Sequence, residues 1–292
     1  MYYDALRTFV TLVEVGNFTK TSEILHISQP SVSLHIKNLE KEFQTKLFVR
    51  SPKSVQITPT GEILYNRAKQ MITMYEQTKE DILVHHNDVQ GELIIGASFT
   101  IGEYILPAFL SRLQKDFPQL TLKVVIGNTN EIVQYVRMIK VDIGLIEGQT
   151  DEKEVSVHPF MEDKLSIVSS NDHPLAHQKK VTTADLHNRE WVTREEGSGT
   201  REYLNHFIRS NGLKVKSILT ISSSQGIKEC ILNGMGLSLL SNSVIEREVK
   251  SGDLSIIPLK NQTFTRTLSY VYLPIMKNKR SVETFINVLQ AE

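Results

Sequence analysis

The chain has 292 residues, 33 basic and 33 acidic side chains, 40% hydrophobic and 23% charged residues, and no net charge. That is the composition of a globular protein with enough chain for two domains, and it excludes attraction to nucleic acid through overall charge, so any such footprint must be local. A single cysteine, Cys230, excludes an intrachain disulfide framework and a cysteine-based zinc site, and no apolar run has the length of a leader or a membrane span, so the chain is expected in the cytosol.

Asp4 to Val15 reads as a helix with Leu6, Phe9, Val10 and Val13 on one face, ended by Gly16. Two short helices are predicted between Thr19 and Lys41. Thr19 is the expected cap of the first, with Ile24 and Leu25 as its buried face. Ser28 is the expected cap of the second, and Pro30 is tolerated in its first turn because N–H groups there lack helical partners. In that second helix Val32, Ile36, Leu39 and Phe43 form one apolar stripe. Its other face carries Pro30, Leu34, Lys37, Asn38 and Lys41, flanked by Ser31, Ser33 and His35, and is polar to basic. This suits the reading helix of a DNA-binding helix-turn-helix, although an ordinary packed helix pair shows the same pattern. Lys46 to Thr58 alternates about a Ser51-Pro52 turn and is predicted to form a short β-wing, whose basic residues can hold phosphates.

Several spaced motifs in the first 65 residues agree with one family. Phe9, Gly16-Asn17-Phe18, Ser28-Gln29-Pro30-Ser31-Val32-Ser33, Ile36-Lys37-Asn38-Leu39-Glu40, Leu47-Phe48-Val49-Arg50 and Thr58-Pro59-Thr60-Gly61 together resemble the amino-terminal signature of LysR-type transcriptional regulators. The resemblance places base and backbone contacts on Gln29, Ser31, Ser33, Leu34, His35 and Lys37, with Arg50 and Lys53 of the wing as phosphate anchors. Many relatives have arginine where this chain has Leu34, so an apolar contact such as a thymine methyl is expected there.

Thr58-Pro59 opens a helix expected to run to about His86, roughly 40 Å at 1.5 Å per residue. Leu64, Ala68, Met71, Tyr75, Thr78 and Ile82 recur at alternating spacings of four and three. Such a seam suits either a homodimer contact or packing on the helix's own domain. The family's linker helices pair, which favours the dimer. Asn87 to Gly91 is a polar break and the expected hinge.

Strands are then predicted at Leu93–Gly96, Leu120–Ile126 and Asp142–Ile146, alternating with helices, of which the second opens at an Asn128…Glu131 capping box. That is βαβαβ and hence a mainly parallel sheet. A second such unit is predicted from about Asp163, with strands at Lys164–Ser169 and Trp191-Val192, helices at 198–211 and 224–233, a strand at 236–240, a strand at 267–273 and a last helix at 280–289. The expected architecture is therefore α/β: a winged helix-turn-helix over residues 1–58, a linker helix over 59–87 and an effector-binding domain over 88–292. By resemblance the latter consists of two Rossmann-like subdomains of the periplasmic-binding-protein type, the first at about 92–161 and 266–292, the second at about 162–265.

In open α/β sheets ligands bind beyond the carboxyl ends of strands, near helix N-termini. Four stretches rich in hydroxyls and small residues stand there: Ser98 to Thr100, Gly127 to Thr129, Thr193 to Arg201, and Ser222 to Gln225. Each alone is as well explained by helix capping. Together they match the segments lining the family's effector cleft, which nominates Ser98, Thr100, Asn128, Thr129, Arg194, Ser198, Thr200, Arg201, Ser222 and Ser223. Gly197-Ser198-Gly199-Thr200-Arg201 resembles a motif of LysR-type branches that regulate carbon fixation and sulfur assimilation, and it lacks the Gly-Lys-Ser/Thr ending of a phosphate loop. Arg201 with the helix start predicts an anionic ligand, provided that Glu195 and Glu196 face solvent; pairing of Arg201 with one of them is the structural alternative.

The nine histidines form no metal-ligand spacing, Cys230 reads as packing, and no nucleophile motif occurs. The resemblance implies a bacterial regulator that catalyses no reaction and needs no cofactor or metal. Its partners would be double-stranded promoter DNA, a small anionic metabolite, further copies of the chain as dimer and tetramer, and RNA polymerase. The rivals are a free-standing metabolite-binding protein and a small α/β enzyme acting on an anionic substrate.

Overall fold

The computed structural model describes residues 2–51, 54–83, 89–260 and 262–291. It divides into two compact units, Met1–Asn87 and Asp88–Glu292.

The first unit comprises α1 (Tyr2–Val15), α2 (Phe18–Leu25), α3 (Gln29–Glu42), the hairpin β1 (Phe48–Ser51) and β2 (Ser54–Ile57), and α4 (Pro59–Leu83). Its core gathers Leu6, Phe9 and Leu12 of α1, Ile36 and Leu39 of α3, Leu47, Phe48, and Leu64 and Ala68 of α4. Ser28 caps α3 as expected, accepting from Ser31 N–H. The cap of α2 is not Thr19 but Asn17, whose side chain accepts from Lys20 N–H. The helix begins two residues earlier because Asn17 is extended, a conformation from which its carboxamide can turn back over the first turn. Ile24 is exposed, contrary to expectation, and α2 instead buries Thr21 and Ser22. Phe43 ends α3 and is also exposed.

The expected seam of α4 divides in two. Leu64 and Ala68 are buried in the core of their own unit, because that turn of the helix faces α1. Met71 and Tyr75 are about half exposed, as are Ile63 and Met74. Tyr75 also packs on Tyr3 of α1, with ring centroids 4.5 Å apart. The Tyr3 phenol donates to Glu76, and burial together with that carboxylate pushes its pKa up to about 12. The side chain of Ile82 lies outside the described residues.

The second unit runs β3 (Gly91–Ser98), a π-helical turn at Ile101–Ile105, α5 (Leu106–Asp116), β4 (Leu120–Gly127), α6 (Thr129–Arg137), β5 (Ile143–Glu147) and β6 (Ser156–Ser170). It continues with β7 (Glu190–Thr193), α7 (Gly199–Ser210), β8 (Ser217–Thr220), α8 (Ser224–Leu232), β9 (Ser238–Ser241), α9 (Asn242–Ser251), β10 (Leu254–Ile256), β11 (Phe264–Tyr272) and α10 (Arg280–Gln290). Strands β4, β3 and β5 are parallel neighbours, as βαβαβ connections require. Beyond them the sheet is not parallel. β11 pairs antiparallel with both β5 and β6, and β6 pairs antiparallel with β9 and β10. The order is β10-β6-β11-β5-β3-β4, and β7 with β8 forms a separate parallel pair.

Strand β6 starts at Ser156, well before the predicted Lys164, and is 15 residues long. It and β11 connect two hydrophobic cores. One holds Leu93, Ile95, Ile143, Leu145 and Phe285. The other holds Leu165, Trp191, Leu204, Phe207 and Leu239, with a satellite around Val168, Ile227 and Val244. The two cores correspond to two subdomains joined by a pair of crossing strands.

The two halves of the α4 seam predict different losses. Leu64→Ala should lower unfolding free energy by about 2–5 kcal/mol, as expected for a filled core position. Met71→Glu should change it by no more than about 0.5 kcal/mol, yet reduce the assembled mass by light scattering if its face meets a second copy. Urea denaturation of both full-length variants checks the first expectation; an unchanged mass for Met71→Glu would remove that face from the assembly contact.

Candidate functional site

Helix α3 presents a continuous outer face. Gln29 and Lys37 are exposed, Leu34 is 55% exposed, and Ser31 and Ser33 are half-buried. His35 is tied down: its Nδ1 lies 2.8 Å from Thr8 Oγ1. That hydroxyl donates to Asp4 C=O, so the imidazole must donate in turn and keeps only Nε2 for another partner. Glu40 clamps the helix to the start of the wing, accepting from Leu47 N–H at 3.0 Å and from Lys46 Nζ at 2.9 Å. Burial would raise the Glu40 carboxyl, but these donors outweigh it and hold it below its ordinary value.

Thr58 closes the other side of the wing. Its hydroxyl donates to Lys46 C=O and accepts from Gly61 N–H, and a Cβ on Gly61 would stand 2.5 Å from Leu47 O. The Thr58…Gly61 motif therefore fixes the wing against α4. Arg50 lies in β1, but its side chain, like all of Lys53, falls outside the described residues.

The second unit brings most nominated residues together at the carboxyl ends of its strands. Ser98 and Thr100 follow β3, Asn128 and Thr129 open α6, and Ser198 and Thr200 open α7. All but Asn128 are at least 97% buried. Asn128 forms the predicted capping box with Glu131. Asn130 N–H donates to Gly197 C=O, which joins the starts of α6 and α7. Gly199 lies so close to β5 that a Cβ there would stand 2.1 Å from Glu147 O.

At the centre stands a charge cluster that the sequence reading did not anticipate. Arg266 of β11 donates through Nη1 to Glu147 Oε2 at 2.6 Å and through Nε to Asp163 Oδ2 at 2.8 Å. All three side chains are at most 3% exposed. Glu147 also accepts from Thr100 N–H and Thr200 Oγ1, each at 3.0 Å, and its carbonyl accepts from Thr129 Oγ1. Asp163 accepts from Ser241 Oγ at 2.6 Å. Burial would raise the Glu147 carboxyl, but Arg266 foremost, with Ser98, Arg194 and Thr100 nearby, holds it below the ordinary carboxylate value.

The other cations are paired as well. Arg194 is 2% exposed, stacks 4.3 Å from the centroid of the Phe99 ring, and binds both oxygens of Glu195 at 2.9 Å. Arg201 Nε lies 3.2 Å from Glu196 Oε1.

Comparison with known proteins places this geometry. The description "Bacterial regulatory helix-turn-helix protein, lysR family" matches residues 3–62, and "LysR substrate binding domain" matches residues 86–292. The chain belongs to the LysR family of transcriptional regulators. It is 57% identical over 291 residues to the HTH-type transcriptional regulator CysL of Bacillus subtilis, covering 100% of this chain and 97% of CysL. Full-length OxyR of Pseudomonas aeruginosa, in a variant form, shares its fold with a TM-score of 0.81 at 24% identity, covering 99% of this chain and 95% of OxyR. The regulatory domain of CcmR from Synechocystis, solved with 2-PG, shares the fold with a TM-score of 0.65 at 24% identity, covering 69% of this chain and 97% of that domain. This LysR-family regulator thus carries a DNA-binding helix-turn-helix and an effector-binding domain. No described helix is long and apolar enough to cross a membrane.

One expectation for the regulator's cleft needs correction. Glu195 does not face solvent but neutralises Arg194; Glu196 is exposed as expected and also stands beside Arg201, which is the structural alternative. A buried guanidinium needs a counter-charge, and the adjacent acids supply it. Ser222 is exposed and Ser223 caps α8 through Gly226 N–H; among the described residues neither joins the cluster.

The cluster has a pH signature. Glu147 is depressed in the folded regulator, so its contribution to stability is present above the ordinary carboxylate pKa and is lost as pH falls through the folded value. Arg266→Met should cost about 3–5 kcal/mol at neutral pH, because two buried carboxylates lose their counter-ion. Without the guanidinium burial dominates and raises the Glu147 carboxyl, so the deficit relative to the parent should shrink on acidification toward pH 5. Urea denaturation at a series of pH values checks both the cost and its slope; a small, pH-independent loss would contradict them.

Proposed function

We propose that this regulator reads promoter DNA with the outer face of α3 as a homodimer, and that a small oxyanion bound beside the start of α7 controls it. One observation carries the effector reading: buried donors without acceptors gather there. Nε and Nη1 of Arg201 are buried and make no hydrogen bond. Ser198 does not cap α7 through its side chain, and first-turn N–H groups have no helical partners. Buried donors left unpaired are costly, and an oxyanion is the acceptor that answers several at once. The 2-PG in the CcmR domain, a structure of the same fold, is in keeping with this. A carboxylate, phosphate or sulfur oxyanion fits these donors. Control would follow if the ligand binds one arrangement of the subunits better than another.

The reader face supports direct base contact by Leu34, the exposed apolar residue in its middle. Leu34→Arg should leave the melting temperature within about a degree or two of the parent while changing the preferred sequence, because guanidinium and methyl contacts select different base edges. Selection of bound sequences from a random pool reads this out, and an unchanged profile would take Leu34 out of base reading.

Arg201→Ala should abolish the response to the effector while leaving basal operator binding intact, because the helix-turn-helix is untouched. Calorimetry of the full chain against a panel of small anions, paired with operator titrations, checks both halves. Full-affinity binding of an anion to the Arg201→Ala protein would sink the assignment.

A further inference from the structure

Three guanidinium groups stand near the strand ends, and they are not equivalent. Arg266 is saturated by Glu147, Asp163 and Thr200. Arg194 holds Glu195 by two well-formed bonds and is stacked on Phe99. Arg201 is different. Its side chain is 12% exposed, and Nε and Nη1 are buried, yet neither donates a hydrogen bond. Its ion-pair partner, Glu196, is 76% exposed and stands 3.2 Å from Nε, out of hydrogen-bonding alignment.

Glu196 immediately precedes Gly197 and the start of α7, and Arg201 is the third residue of that helix. The pair therefore lies at the helix start. A buried hydroxyl belongs to the same neighbourhood. Ser98 Oγ, in a residue 2% exposed, lies against the Glu147 carboxyl, which also holds Thr200 of that first turn.

We propose that Glu196 is a tethered competitor for the effector on Arg201. The inference rests on the oxyanion reading of the site. In the empty regulator the Glu196 carboxylate keeps a mostly buried guanidinium from standing without a counter-charge. Its grip is weak, because its own side chain is in water and makes no aligned hydrogen bond to the guanidinium. An incoming oxyanion that aligns with the Nε edge, where Glu196 stands, makes charge-assisted bonds that Glu196 does not make. Glu196 then swings into solvent at little cost. The competitor sets the concentration of oxyanion at which the site fills. Arg194 is not available in this way, since release of Glu195 would break two aligned bonds.

Simple competition has a quantitative mark. Removing a competitor tightens every ligand of the site by the same factor, whatever the ligand's charge. Removing a mere repulsive charge tightens a dianion more than a monoanion, since the Coulomb energy scales with the ligand's charge. The test titrates the full-length parent, Glu196→Gln and Arg201→Ala with sodium sulfate and with sodium acetate at constant ionic strength, by calorimetry. Glu196→Gln should tighten both probes by the same factor, about two- to five-fold, as an exposed ion pair implies. Arg201→Ala should bind neither. Sulfate and acetate binding that Glu196→Gln leaves unchanged, or tightens for sulfate alone, would overturn the competitor while leaving the oxyanion site standing. Absence of binding of both probes to the parent and to Glu196→Gln would overturn the oxyanion site and the competitor with it. Glu196 is exposed, so the substitution should not perturb folding, and a thermal melt verifies this.

Discussion

A guanidinium buried between two carboxylates is the tightest constraint in the effector-binding unit. Arg266, Glu147 and Asp163 are removed from water, and charges so removed are tolerated only where geometry and hydrogen bonding compensate. One negative charge is left over. It is met by neutral donors from distant parts of the chain: Thr100 N–H behind β3, the Thr200 hydroxyl in α7, and the Ser241 hydroxyl at the end of β9. The donors come from elements of both hydrophobic cores. A change in the relative placement of the two subdomains would therefore be felt first at these bonds.

The same cluster shapes the cleft. Thr100 N–H and Thr200 Oγ1 stand where a ligand could meet them, but the chain's own Glu147 carboxylate already holds both. The proposed oxyanion would be left with the outer part of the site: the first turn of α7 and Arg201. Gly199 belongs to this arrangement, because only a residue without a side chain lets α7 approach the backbone of β5 so closely.

In the amino-terminal unit the reader helix is held from behind and from the side. Val32, Ile36 and Leu39 anchor it in the core, Thr8 fixes His35, and Glu40 binds the start of the wing. The outer face is free to meet a groove because every strong internal contact of α3 is made elsewhere. In a protein of zero net charge that local rigidity matters more than long-range attraction, which the composition does not supply.

The sequence by itself determined most of the order of elements, though not the short strands β8 and β10, together with the reader helix, the wing and the polar stretches around the cleft, since these rest on short-range periodicity, turn residues and caps. Asn128 and Glu131 are an example, as the capping box needs only four consecutive residues. Tertiary structure decided the rest. The burial of Leu64 and Ala68 in their own domain depends on where α1 lies, because a seam at helical spacing looks the same facing a core or a partner. The antiparallel course of β6 and β11 depends on a chain return that leaves no local mark. Arg266 did leave a faint one: it occupies an inward position in the alternation Phe264, Arg266, Leu268, Tyr270. An arginine on an inward face calls for a buried carboxylate, but its partners are 119 and 103 residues away. Only folding brings those charges together, so the polar centre of the effector-binding unit, unlike its walls, could not be read from neighbouring residues.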